Sequence, residues 1–444
     1  MSTVLLYIAG VLIFAVGLLI SIAWHEMGHL AFAKLFNVRV TQYMIGFGKT
    51  LWSRQRGETE YGIKAVPLGG YIRMIGMVPP GKDGRRRITS TAASPLGIAR
   101  QLIEQSRSAD RAQVTESDDG REFYQLHPFK RIIIMLAGPA QNLIFAVILF
   151  GIAMVAIGVP TANTTVNSVS ACIIPVAASG QQQRTDCLPS DPPTPAAQAG
   201  LRPGDTVTAV DGTPITDWDQ FRAIIARSGG QTIQLAYTRD GAAHTVSVPI
   251  VATQRPVYDD AGTLIDVATI GFLGVGPQEP YVAQSLGAAF VRTGQFIGAA
   301  THAVSRIPER IPAVWSAIVD HSQNDPDRPM GIIGAGRIGG EILSFADFTV
   351  QDKLSMALTL LAGFNMSLFL INLLPLLPLD GGHILGAAID WVRRGWAAVR
   401  RRARPRPFDV ATLMPVAYVV ALLFIGLSLL TAVADIVNPV QLFG

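Results

Sequence analysis

Charge is scarce in this chain. Asp, Glu, Lys and Arg together make up 15% of its 444 residues, against about 25% in an ordinary soluble domain. Histidine is rarer, with seven copies, and cysteine rarer still, with two. So few cysteines exclude a disulfide-built scaffold. No basic stripe interleaved with groove-reading elements is present, which excludes a nucleic-acid partner despite a net charge of +4. What is abundant is apolar: 49% hydrophobic residues and a mean hydropathy of +0.35. That composition excludes disorder. Nor could so few charges coat so much apolar surface, so part of it faces lipid.

A membrane helix needs about 20 apolar residues. Four stretches qualify, at residues 1–24, about 132–159, about 356–379 and about 411–433. The first carries no charge from Met1 to Trp24. It lacks a basic leader region and a small-residue cleavage site, so it reads as a retained span. Flanking Lys and Arg set the orientation. Residues 34–131 carry 17 basic and 9 acidic residues, a net of +8. Residues 393–406 hold seven Arg and no acid. Residues 160–350 have 11 basic and 17 acidic residues, a net of −6. The first and third connections are therefore expected inside, the long middle one outside, and both termini extracytoplasmic. Cys172 and Cys187 both fall in the outside segment. An oxidising compartment favours a bridge there over two free thiols.

The chemistry lies at the end of the first span. His25-Glu26-Met27-Gly28-His29 is an HExxH motif. On a helix the two histidines stand one turn apart on one face and can share one Zn²⁺. Glu26 beside them can take a proton from zinc-bound water. Ionisable groups at bilayer depth are expensive unless paired or bound to metal. A catalytic zinc needs a third protein ligand and one open position. The best candidate is Asp380, at the inner end of the third apolar run, after Asn372-Leu-Leu-Pro375-Leu-Leu-Pro378-Leu. Two prolines break the helix there. With both spans entering from outside, His25, His29 and Asp380 are expected to meet at one depth, near the cytoplasmic side.

These residues resemble the site-2 protease family of intramembrane zinc metalloproteases, and within it the bacterial RseP-like branch. The resemblance rests on HExxH and on the Asn372-to-Gly381 run. It is supported by Gly46-Phe47-Gly48, Pro67-Leu68-Gly69-Gly70-Tyr71 and Gly138-Pro139-Ala140-Gln141-Asn142. It implies His25, His29 and Asp380 as ligands of one Zn²⁺, and Glu26 as general base. It also implies that Asn372 positions the substrate backbone or steadies the oxyanion. His383 is read as a ligand-orienting or an interfacial histidine, and His127, His244, His302 and His321 as packing or surface residues. The implied substrates are single-span membrane proteins, such as anti-sigma factors already trimmed by an upstream protease, or remnant signal peptides. The setting is a multi-pass protein of the cell membrane.

Two further segments have recognisable patterns. The alternating, turn-rich stretch 43–74 reads as a hairpin, which in the family is a membrane-associated β element able to hold an extended substrate by strand addition. About residues 160–253 alternate strands and turns around a helix from Trp218 to about Arg227, and resemble a single PDZ domain, a module that captures chain ends. The expected fold is thus a polytopic α-helical membrane protein of about four transmembrane helices, with an inserted α+β PDZ-like extracytoplasmic domain and a membrane-associated β-hairpin region. The expected divisions are 1–36 (first span), 37–77 (β region), 78–130 (cytoplasmic loop with a short helix near 95–112) and 131–159 (second span). Then come 160–255 (PDZ-like), 256–350 (amphipathic interfacial helices), 351–383 (third span), 384–410 (basic cytoplasmic loop) and 411–436 (fourth span). Two other classes fit the residues less well. A membrane-anchored PDZ adaptor with a non-catalytic metal site would have no use for Glu26. A metal transporter would spread its ionisable residues along a pathway.

Overall fold

The computed structural model of the chain describes residues 3–79, 114–115, 118–175, 184, 186–258, 264–319, 329–403 and 405–439. The helix expected near 95–112, most of the 78–130 loop, and His321 lie outside the described residues. The chain divides into two compact units, Met1–Ile157 with Gln284–Gly444, and Gly158–Ala283.

In the first unit, four helical segments among the described residues are long and apolar enough to cross a membrane. They are α1 (Thr3–Leu35), α2 (Pro128–Gly151, continued by a wider π-helical turn to Ile157), α8 (Val350–Asn372) and α10 (Met414–Val437, entered through a 3₁₀ turn from Val410). Pro128 opens α2, where its missing N–H is not needed, and the His127 side chain accepts from Phe129 N. α8 starts with a reciprocal cap between Thr349 and Asp352.

Between α1 and α2 lies a long hairpin, β1 (Val40–Arg56) and β2 (Thr59–Met74). β2 bends, so residues 42–45 of β1 pair with 60–63 on one side and with 70–73 on the other. The hairpin is held to α1 and α2 by a cluster including Leu30, Ala33, Val40, Tyr43, Met74, Phe123 and Ile134. Tyr43 adds a hydrogen bond from its hydroxyl to Ala23 O at 2.7 Å.

The region after the third span differs from expectation. α8 stops at Asn372, and Asp380 does not end that span but opens a new helix, α9 (Asp380–Val399). Pro375 and Pro378 cannot supply the N–H groups that a continuous helix would need. A carboxylate at a helix start is favoured by the unpaired N–H groups there. Most of the stretch 384–410, expected as a basic loop, is therefore helix. Its period was masked by the arginines.

The Gly-rich run near 331–340, within the stretch expected to hold amphipathic helices, forms the helix α7 (Ile332–Ser344). It packs closely on α1: side chains added at Gly10 or Gly340 would run into the facing helix. Its start is capped from α10, where Asp435 Oδ2 accepts from Gly331 N and Gly334 N at 2.9 Å each. Helices α5 (Leu286–Ser305) and α6 (Ile307–Val319) precede it.

The unit Gly158–Ala283 has a four-stranded antiparallel sheet. Its order is β6 (Thr213–Pro214), β5 (Thr206–Val210), β7 (Thr232–Arg239) and β8 (Ala242–Pro249). A short helix α3 (Pro195–Gln198) and the helix α4 (Trp218–Arg227) accompany it; the Asp217 side chain caps α4 by accepting from Gln220 N. The core holds Val166, Val207, Val210, Phe221, Ile225, Ile233, Leu235 and Leu273. Cys172 and Cys187 are joined by a disulfide.

This unit runs past the expected limit at 255. Strands β9 (Val251–Tyr258) and β10 (Leu264–Phe272) pair with each other. β11 (Val275–Pro277) and β12 (Tyr281–Val282) return to pair with β4 (Val166–Val169) and β3 (Val159–Pro160). Such closures join strands more than 100 residues apart and leave no local pattern in the sequence.

Candidate metal centre

His25 and His29 face the same way from α1, and Asp380 reaches them from the first turn of α9. His25 Nε2 and His29 Nε2 lie 3.2 Å apart. Asp380 Oδ2 is 3.2 Å from the first and 3.3 Å from the second. That oxygen is buried and has no hydrogen-bond partner.

Each imidazole is also held from behind. His29 Nδ1 lies 2.8 Å from the Ile134 carbonyl, which can only accept, so Nδ1 carries the proton and Nε2 presents a lone pair. His25 Nδ1 lies 3.0 Å from the Asn142 side-chain amide, whose Oδ1 is buried with no hydrogen-bond partner. Turning that amide over lets Oδ1 accept from His25 Nδ1–H and satisfies both groups. Three lone-pair atoms then converge at 3.2–3.3 Å with no proton between them. Their separations match the edge of a tetrahedron around zinc, about 3.3 Å for metal–ligand bonds near 2.05 Å. The residues present therefore fit the ion: His25, His29 and Asp380 form a group able to hold a metal.

Glu26 is buried on the same turn of α1. The hairpin covers it. A side chain at Gly70 would collide with Glu26 and Ile22. Gly138 of α2 is equally constrained, because any Cβ there would strike the His29 ring. Both glycines belong to runs noted in the sequence, but their role is visible only in space. Asn142 and the Ile134 carbonyl escaped sequence reasoning as His-orienting groups. The available signal for Asn142 was an amide in an apolar helix.

Asn372 is not brought into this cluster by a hydrogen bond. Its side chain donates to Leu368 O one turn back at 3.0 Å. His383 is half-buried, and its inward Nδ1 has no hydrogen-bond partner. His127 caps α2, and His244 stacks on Tyr237 at 5.3 Å.

A second buried charged group fixes the helices that carry these side chains. Arg131 of α2, one turn before Ile134, pairs with Asp390 of α9; both side chains are buried. Asp390 also accepts from Phe408 N at 2.6 Å, and the Arg131 guanidinium lies 6.0 Å from the Phe123 ring centroid.

An HExxH helix and a carboxylate from a separate broken helix, set in a bundle of membrane-length helices, define a membrane-embedded metallopeptidase. Comparison with known proteins agrees: residues 13–416 match the model of peptidase family M50. The chain belongs to that family, the site-2 proteases. It is similar to zinc metalloprotease Rip1 of Mycobacterium tuberculosis, 34% identical over 99% of this chain and 100% of the relative. Rip1 of Mycolicibacterium smegmatis is 32% identical over 98% of each chain. Metalloprotease MmpA of Caulobacter vibrioides is 26% identical over 86% of each.

Proposed function

We propose that this zinc metalloprotease cuts within or beside the transmembrane segment of single-span membrane proteins, with His25, His29 and Asp380 as metal ligands and Glu26 as general base. The observation that carries the reading is the mutual approach of His25 Nε2, His29 Nε2 and Asp380 Oδ2, from two helices, beside a buried glutamate. When bound, zinc supplies a Lewis acid that polarises the scissile carbonyl and acidifies a coordinated water.

The chain's own residues do the rest. Ile134 O and Asn142 hold the two imidazoles in the ligating tautomer. Glu26 takes the proton from the attacking water and delivers it to the departing amide nitrogen. Asn372 gives up its bond to Leu368 O and turns its amide toward the substrate carbonyl, where negative charge develops. The strand 70–73 flanks β1 and lies against Glu26. It offers an edge on which an unwound substrate segment can be held.

The charge distribution orients the protein with both termini and the unit Gly158–Ala283 outside, and the metal centre near the inner side. The four-stranded sheet and helix of that unit support the PDZ-like reading, with an extended chain end as its ligand. Substrates of this kind are anti-sigma-factor-like proteins trimmed beforehand by another protease, or remnant signal peptides.

The test is cleavage of a single-span reporter by the purified protein in liposomes, beside Glu26→Gln, with zinc measured on both. Loss of at least about a hundredfold in rate, with about one zinc per chain retained, supports the reading. Equal cutting by both removes Glu26 from the mechanism. Zinc in both with no cutting by either favours the adaptor reading.

A further inference from the structure

The helix that begins with Asp380 has a second face that the proposed chemistry does not use. On α9, Gly386, Ala387 and Asp390 are buried against the protein. On the opposite side Leu385, Val392, Trp396 and Val399 follow spacings of seven, four and three residues, which makes one stripe. All four are exposed, Val392 at 71% and Val399 at 81%.

Arginines border the stripe. Arg393 and Arg400 fall on one flank by helical spacing, and the Arg400 guanidinium lies over the Trp396 ring at 4.4 Å. Arg401, Arg402 and Arg406 follow, all exposed. No acidic residue occurs between Asp390 and Asp409; Asp390 is engaged with Arg131 and Phe408 N and makes only a long pair with Arg393, at 3.8 Å.

α9 cannot itself be a span. Its C-terminal half carries Arg393 and Arg394, and it connects two membrane-length helices, α8 and α10. A helix so placed lies along the membrane surface. In that pose its apolar stripe, Trp396 included, enters the acyl boundary, Trp391 lies beside it toward the headgroups, and the arginines meet the phosphates.

We infer that α9 and the arginines after it form a binding surface for anionic phospholipid, with Val392, Trp396 and Val399 inserted and Arg393, Arg400, Arg401 and Arg402 on the headgroups. The stripe alone would suit any lipid. An uninterrupted cationic flank beside it selects the anionic class. This rests on the multi-pass arrangement alone, and holds whichever side of the membrane α9 faces and whatever the catalytic residues are.

The test uses the full-length protein in nanodiscs of phosphatidylcholine with one quarter phosphatidylglycerol, followed by detergent extraction and counting of retained lipid by native mass spectrometry. The wild type retains phosphatidylglycerol over phosphatidylcholine, and raised salt weakens the preference. Changing Arg393, Arg400, Arg401 and Arg402 together to Gln lowers retained phosphatidylglycerol roughly tenfold. The same four positions as Lys keep most of it. Arg202→Gln with Arg222→Gln, in the other unit, leaves it unchanged. Equal retention by wild type and the Gln variant overturns the inference, as does equal loss in the Lys and Gln variants. Displacement of the lipid by inorganic phosphate at matched ionic strength would also overturn it, because the surface would then be a plain anion site. Zinc content, read on the same samples, reports the metal centre separately.

Discussion

The two units place polarity in opposite ways. In Gly158–Ala283 the interior is aliphatic and aromatic, with Phe221, Ile233, Leu235 and Val248 at or below 1% exposure. In the helical unit Leu422, Leu423 and Ile425 of α10 are more than 60% exposed, while Ser21, Asn142 and Asn365 are fully buried. Ser21 and Asn365 hydrogen-bond each other at 2.8 Å between α1 and α8. One unit hides its apolar groups from water. The other leaves them for lipid and reserves its inside for groups that lipid cannot satisfy. A candidate metal site of two histidines and a carboxylate belongs in the second kind of interior.

Equal truncations in the two units should therefore have unequal effects. Phe221→Ala is expected to cost about 3–5 kcal/mol in the unfolding of its unit, followed by Trp218 fluorescence in denaturant. Leu422→Ala is expected to change stability by no more than about 0.5 kcal/mol. Comparable costs would break the comparison. Inside the helical unit the sensitive groups are polar. Arg131→Met leaves Asp390 buried without its partner and should cost about 3–5 kcal/mol. Adding Asp390→Leu should recover most of that. A double variant as damaged as the single one would show that the pair is not the source.

A smaller effect is expected behind the ligands. Asn142→Ala should weaken zinc binding by about 10–100-fold in a chelator competition, with the fold retained. No change would remove Asn142 from the support of His25.

The smallest effect tests the water-facing unit. Burial alone raises the pKa of Asp205, but hydrogen bonds from Arg239 and from Arg202 N outweigh it and leave the carboxyl below its ordinary range. A lowered folded-state pKa stabilises above the unfolded value, about pH 4, and is lost as pH falls through the folded one. Arg239→Met should therefore lower the thermal midpoint of this unit at neutral pH, and the difference from wild type should shrink in acid. A constant difference across pH would assign the loss to packing rather than charge.

The spacing of His25, Glu26 and His29 is a property of one helix turn, so the sequence alone fixed their common face. The apolar runs likewise determined four membrane helices, because length and hydropathy are local. Asp380 was legible as a metal-ligand candidate, but its place at the start of α9 was not. The prolines announce a break without saying where the chain resumes. Everything behind the ligands came from the tertiary structure. Ile134 O lies 105 residues from His29, Asn142 lies 117 from His25, and Asp390 lies 259 from Arg131. The extension of the second unit to Ala283 was equally hidden, since β11 and β12 find their partners more than 100 residues back. Periodicity records which face of one element is buried. It carries no record of which distant element covers that face, and that choice is made only when the whole chain packs.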